Sequence, residues 1–371
     1  QFMTYGTNTA SFTLKDVSVK EVTRDNVPRI DYTGGGCPHI LAEPQRTNQI
    51  TQNNQFDTTW VASNLGLTSG QNGIYNTTDA WLFNATNSLA NVTISVSTSG
   101  ENTYSVYAKA GTEDGIFIRF TGGSNPRAFF NLTNGTLIAE GGTTNTNVEN
   151  VGNGWYRCSI TGSETITDAR IYVADSSGNF VSSGNIYVQY SQLENGSYPT
   201  SIIPTSGSTV TRNQDIFTRD GIGSLINSTE GVLFLEVAAL SLLSDVSRVI
   251  MLTSSDGLNY VNIYFQSDGR LTVYNNVNGV NTVLFQQVLN DITLFNKCAL
   301  KWGSQGYELW VNGIKLESST STSVPIGLSE INFNWNGGIR HFYGKVKQLQ
   351  VYKTSLSDEQ LLQLTGESGT D

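Results

Sequence analysis

The sequence predicts an all-β chain, built as two tandem β-sandwiches with one short C-terminal helix. Three observations lead there. Apolar and polar residues alternate with period two at 92–96, 104–107, 116–120, 171–173, 186–190, 261–265 and 271–274, the pattern of strands with one face buried. Clusters of Gly, Asn, Ser and Asp break these runs about every ten residues, the spacing of sandwiches and barrels. Finally, charged residues make up only 14% of the 371, while Tyr, Phe and Trp reach 10%. That is too aromatic for a disordered chain and long enough for two or three domains.

The turns carry their own chemistry. Asn72-Gly, Asn134-Gly, Asp256-Gly, Asp268-Gly and Asn312-Gly each place residues that tolerate positive φ where a tight hairpin needs them. The helix is expected just after Ser357, which serves as N-cap. Gln360 stands at N3, and Asp358 and Glu359 lie at the positive end of the helix dipole.

Residues 201–211, with Pro204, Gly207 and repeated Ser, form a linker or crossover. A second break falls at the glycine run 34–36. The division expected is 1–36 as strand and linker, 37–205 as one sandwich and 206–371 as another. Residues 12–28 parallel 186–200 in order (strand, acidic loop, X-Pro exit). The first segment is therefore either the end of an upstream module or an edge strand of the module that follows.

Composition excludes several classes. The net charge is −10 with no basic block, so nucleic acid is not an expected partner. The longest apolar run, Gly231 to Leu243, is interrupted by Glu236 and falls short of the roughly 20 residues of a spanning helix; no membrane insertion is expected. Cys37, Cys158 and Cys298 form no CxxC pair and read as structural thiols, compatible with folding in a reducing compartment. The start, from Gln1, is polar and has no secretory pattern, and it reads as a processing boundary.

Two resemblances then enter. Residues 28–48 (from Pro28-Arg-Ile-Asp-Tyr through Ala42-Glu-Pro-Gln-Arg-Thr-Asn), Phe56 to Trp60, Gly152-Asn-Gly-Trp-Tyr-Arg-Cys and Val188-Gln-Tyr-Ser-Gln-Leu-Glu-Asn resemble the β-sandwich modules of bacteriophage tail-fibre and receptor-binding proteins. Related modules resemble carbohydrate-binding jelly rolls. Gly231-Val-Leu-Phe-Leu-Glu-Val, Lys301-Trp, Tyr307-Glu-Leu-Trp-Val-Asn-Gly, Phe342-Tyr-Gly-Lys-Val and Leu356-Ser-Asp-Glu-Gln resemble a concanavalin A-like, laminin G-type sandwich. Together they imply tandem jelly-roll/concanavalin A-like sandwiches and recognition of cell-surface polysaccharide or glycan.

Catalysis is not expected. His39 and His341 are the two histidines and fall in different modules. The Glu-x-Asp-x-x-Glu string of concanavalin A-like hydrolases is missing, and Glu230 and Glu236, six residues apart, would sit roughly 20 Å from each other on a strand. Binding needs exposed aromatics that stack on the C–H faces of sugars. Trp310 is the leading candidate, because Leu309 and Val311 take the core face and leave it on the other. Tyr75 follows the Asn72-Gly73 turn, at a sandwich rim. Trp60 and Trp81 are further candidates that would otherwise plug the sandwich. No cofactor is expected; a structural calcium, which related sandwiches often hold, has weak candidates in Asp175 and Asp256, where turn chemistry explains the carboxylates equally well.

The function expected is a non-catalytic receptor-binding part of a phage tail or surface fibre, located on the virion after folding in the host cytoplasm. Other copies of the chain in a trimeric fibre are expected partners. The alternatives are the carbohydrate-binding portion of a secreted polysaccharide-degrading enzyme and a structural appendage protein.

Overall fold

The computed structural model describes residues 28–32, 38–241, 248–266, 268–335 and 338–366. They form antiparallel sheets, and one α-helix is present among them, Asp358–Thr365. Its capping box is the one the sequence indicates: the Ser357 side chain accepts from the Gln360 N–H while Gln360 reaches back to Ser357. At the hairpin joining Gly306–Val311 to Ile314–Ser319, Asn312 and Gly313 both adopt positive φ, 49° and 80°, as a two-residue turn with the right twist requires.

The first sandwich is built around two twenty-residue strands, Asn91–Ala110 and Trp155–Ala174, paired along most of their length. Each serves two layers. Near one end they continue into Gly115–Thr121 and Arg127–Asn131 on one side and Val61–Ser63 on the other. Near the opposite end the neighbours are Asn145–Gly152, Gly184–Asn195, Ala80–Ala85 and Leu65–Gln71. Between the layers lies a core that includes Val92, Ile94, Tyr104, Val106, Ile118, Phe120, Cys158, Ile160 and Ile171.

In the second sandwich, a seven-stranded sheet faces a six-stranded one. The core includes Leu233, Leu235, Ile250, Val261, Val273, Leu300, Trp302, Leu309 and Val311. Cys158 and Cys298 are both free and buried in these cores. Burial pushes the Cys298 thiol up to about 12 and raises that of Cys158 as well.

The division at residues 36 and 37 is corrected by strand pairing. Arg29–Asp31 pairs with His39–Ala42, which in turn pairs with Gly344–Tyr352 of the second sandwich. Arg46–Asn48 then pairs antiparallel with Val210–Arg212. The chain thus lays edge strands on the second sandwich, leaves through one crossing strand, builds the first sandwich, and returns through the other. The first sandwich is nested within the second. The strand expected around residues 12–28 lies almost wholly outside the described residues, as does Cys37.

A charged cluster closes the crossing. Glu43 takes Arg29 at 2.6 Å and Arg212 at 2.9 Å, and its other oxygen accepts the Ser201 N–H at 2.8 Å. Asp215 holds Arg29 from the opposite side, with Nε–Oδ1 at 3.0 Å. Burial alone would raise the Glu43 pKa, but Arg212 and Arg29 outweigh it and hold the carboxyl below the usual range.

Candidate functional site

The aromatic candidates separate once their surroundings are known. Trp310 does point away from the core, as alternation requires, yet it is only 6% exposed. It packs with Val232, Phe234 and Ala299 under Leu361 of the C-terminal helix, and its Nε1 donates to Glu308 at 3.2 Å. The helix covers this face of the sheet, so Trp310 is a packing residue and not a contact for ligand. Trp60 and Trp81 meet around Phe56 in the first core, with ring centroids 5.1 and 6.1 Å from it. Each satisfies its indole N–H on a backbone carbonyl, Gln52 at 2.8 Å and Asn54 at 2.7 Å. Both are plugs of the sandwich and are likewise corrected as binding candidates.

Tyr75 is the one of the four that is open, at 63% exposure. It sits in the left-handed region with φ 56°, an uncommon conformation for a bulky residue. The neighbouring Ile74 anchors it by packing with Tyr107 and Trp155.

The calcium candidates are occupied by their own turns. Asp175 Oδ1 accepts the N–H groups of Ser177 and Asn179 at 2.9 and 2.8 Å, and Asp256 Oδ1 accepts from Ser254 Oγ and the Leu258 N–H. Among the described residues no group of three His, Cys, Asp or Glu converges. Turn hydrogen bonding accounts for the carboxylate oxygens engaged at both positions.

A different region is concave and chemically furnished. On the outer face of the first sandwich lies a hollow of about 490 Å³, lined by Ser63, Asn64, Leu89, Asn91, Phe117, Arg119, Arg170, Tyr172 and Phe180. Strand register builds it. Tyr172 stands opposite Phe117 and Arg170 opposite Arg119, while Asn91 flanks Tyr172 and Ser63 flanks Asn91. The residues between them, Ile118, Ile171 and Val173, face the core, so alternation directs the aromatic and arginine side chains outward.

The floor is aromatic. Phe117 contacts Tyr172, Phe180 and Phe129 at centroid distances of 5.3, 5.2 and 4.3 Å. These are edge-to-face and tilted arrangements that suit ring quadrupoles. Phe117 and Tyr172 are nearly covered, and Phe180 and Phe129 are half-buried above them.

The wall is polar. Asp168 grips Arg170 in a two-pronged bond, Nε–Oδ1 2.7 Å and Nη2–Oδ2 3.3 Å. Burial would raise the Asp168 pKa, but Arg170, Thr121 and the charge of Arg119 lower it overall. At the rim, Asn64 and Leu89 both adopt positive φ, 54° and 60°. Asn64 donates to the Ser88 carbonyl and Asn91 to that of Leu89, at 2.9 and 2.7 Å. An apolar leucine held in that conformation costs energy, of the kind seen where local geometry serves a site.

Sequence reasoning missed this constellation although its signal was present. Residues 116–120 and 171–173 read plainly as alternating strands, with Phe117, Arg119 and Tyr172 on the face opposite the apolar set. What alternation does not give is that two strands fifty residues apart lie side by side in this register. A second aromatic group, Tyr264, Tyr274 and Trp335, lies on the outer face of the six-stranded sheet. Arg340 stands 5.1 Å from the Trp335 ring centroid.

No protein-family model and no curated protein matches the chain. Among solved structures it is similar to the carbohydrate-binding module of the Ruminococcus gnavus IT-sialidase, at 19% identity over 39% of this chain and 86% of that one, with a TM-score of 0.33. It is also similar to the NanB sialidase of Streptococcus pneumoniae (18% identity, 40% of this chain, 26% of that chain, TM-score 0.33). A third likeness is to a SAP-like pentraxin of Limulus polyphemus (14%, 38%, 70%, TM-score 0.30). The fold assignment stands on the sheet topology described above and not on these likenesses.

Proposed function

We propose that the chain is a non-catalytic, glycan-binding component of a phage tail or similar surface fibre, carried on the virion after folding in the host cytoplasm. The observation that supports this reading most is the hollow on the first sandwich. It joins an aromatic floor, amide side chains and two guanidinium groups in one concavity, the combination that suits a ring with apolar C–H faces and polar hydroxyls. The phage context rests on the sequence resemblance of residues 30–205. The absence of enzymatic activity rests on the sequence, which lacks a nucleophile motif or a carboxylate string. As a part of a secreted polysaccharide-degrading enzyme the chain would use the same hollow, and only its genetic neighbours would differ.

Binding of the purified chain to intact cells and to a glycan array tests the proposal. Saturable cell binding that disappears when surface glycans are stripped is the expected result. Binding unaffected by stripping, with no glycan retained on the array, would overturn it. Tail and capsid genes beside this one are expected; sugar transporters and lyases there would move the chain to the secreted-enzyme reading.

A further inference from the structure

The charge in the hollow is out of balance. Cross-strand register aligns Arg170, Arg119 and Arg127 in one row over three adjacent strands. Like charges directly opposite each other in a sheet repel, and in a chain of net charge −10 there is no shortage of carboxylates to separate them. Yet among the described ion pairs only Asp168 meets a member of this row, and it meets Arg170. Arg127 spends one nitrogen on the Asn125 carbonyl at 3.0 Å. Arg119 lines the hollow, and its Nε is buried without a hydrogen-bond partner. It takes no part in any of the described salt bridges.

Resting on the glycan-binding reading above, we propose that the hollow recognises a sugar residue bearing a carboxylate, with Arg119 as the group that receives it and Arg170 beside it. A guanidinium is planar, stays charged, and presents paired N–H donors that match the two oxygens of a carboxylate. The carboxylate adds a second anion to a row of three arginines in which Asp168 forms the one described ion pair. Asp168 positions Arg170 and leaves Arg119 for the ligand. Phe180 and the rings beneath it offer apolar surface to the pyranose ring, and Asn91 and Asn64 offer amides to its hydroxyls.

The carboxylate can come from a uronic acid or from a nonulosonic acid, and the probes separate the two. Binding of trigalacturonate, 3′-sialyllactose and lactose is measured by calorimetry at matched ionic strength, with wild type, Arg119→Gln and Arg119→Lys, alongside thermal melts. At least one acidic probe is expected to bind at least about tenfold more tightly than lactose, the scale of a charged hydrogen-bonded contact. Arg119→Gln is expected to abolish that preference with an unchanged melt, and Arg119→Lys to retain part of it, since charge survives but the fork does not. Which acidic probe binds identifies the source.

Equal binding of lactose and both acids, unaffected by Arg119→Gln, overturns this inference and leaves the glycan-binding reading standing. Binding of no acidic probe overturns the inference as well. If the glycan array is also blank, the glycan-binding reading falls with it.

Discussion

Two outward sheet faces of this protein begin from the same sequence pattern and end in opposite roles. On the strand Gly306–Val311, Leu309 and Val311 enter the core and Trp310 points away. On the strand Gly115–Thr121, Ile116, Ile118 and Phe120 enter the core, while Phe117 and Arg119 point away. The first outward face is roofed by the C-terminal helix, whose Leu361 seals Trp310. Among the described residues no helix lies over the second, and it forms a hollow. Period two determines which way a side chain points, whereas exposure depends on what the rest of the chain lays on top.

The roofed face responds most strongly to substitution. Trp310→Ala removes a large side chain from a packed satellite cluster and is expected to cost about 3 kcal/mol of stability, toward the lower end for buried tryptophan because the cluster is small. Chemical denaturation reads this directly. A loss within experimental error would mean that the helix does not seal Trp310 and that the two faces are alike.

The junction between the sandwiches comes next. Glu43→Gln leaves Arg29 and Arg212 short of a carboxylate in a mostly buried site, an expected loss of about 2 kcal/mol, discounted because both arginines retain some solvent. The same cluster sets a pH dependence. Because the folded Glu43 pKa lies below its unfolded value, the unfolded chain takes up the proton first as pH falls. The stabilisation from Glu43 is therefore complete above the ordinary glutamate range and is lost as pH drops through it toward the folded pKa. Denaturation curves from pH 7 to 3 are expected to show wild type losing stability and Glu43→Gln losing less. Parallel slopes would remove Glu43 as a cause.

At the open face, Phe180→Ala is expected to weaken glycan binding by about 1 kcal/mol, the scale of one aromatic contact beyond simple burial. Its effect on stability should be of similar size, since the ring is half-buried on its neighbours. Undiminished glycan affinity in that variant would place the sugar elsewhere.

Tyr75→Ala should matter least. Its ring is mostly in solvent, and the expected change in stability is within about 0.5 kcal/mol. A glycan affinity that falls with Tyr75→Ala but not with Phe180→Ala would shift recognition to the rim of the other layer.

What was legible in the sequence follows the range of the interactions involved. Ser357 and Gln360, three residues apart, announce their capping box. Asn312-Gly313 announces its turn, and the alternation at 116–120 announces both a core face and an outward face. Those signals are local. The pairing of His39–Ala42 with Gly344–Tyr352 spans most of the chain, and nothing within a strand's length encodes it, so the nested arrangement was read as a simple tandem. Trp60 and Trp81 lie in stretches without clean alternation, and only the ring of Phe56 between them shows that they point inward. Arg119 and Arg170 lie about fifty residues apart, and only strand register sets them opposite each other.

Protection mapping decides whether glycan sits in the hollow of the first sandwich. Hydrogen exchange is followed with and without the tightest glycan found on the array. Slowed exchange is expected only at 61–64, 89–93, 115–121, 168–174 and 178–181, with residues 306–319 and the C-terminal helix unchanged. Protection centred on 306–319 and the helix, with the hollow unaffected, would contradict that placement.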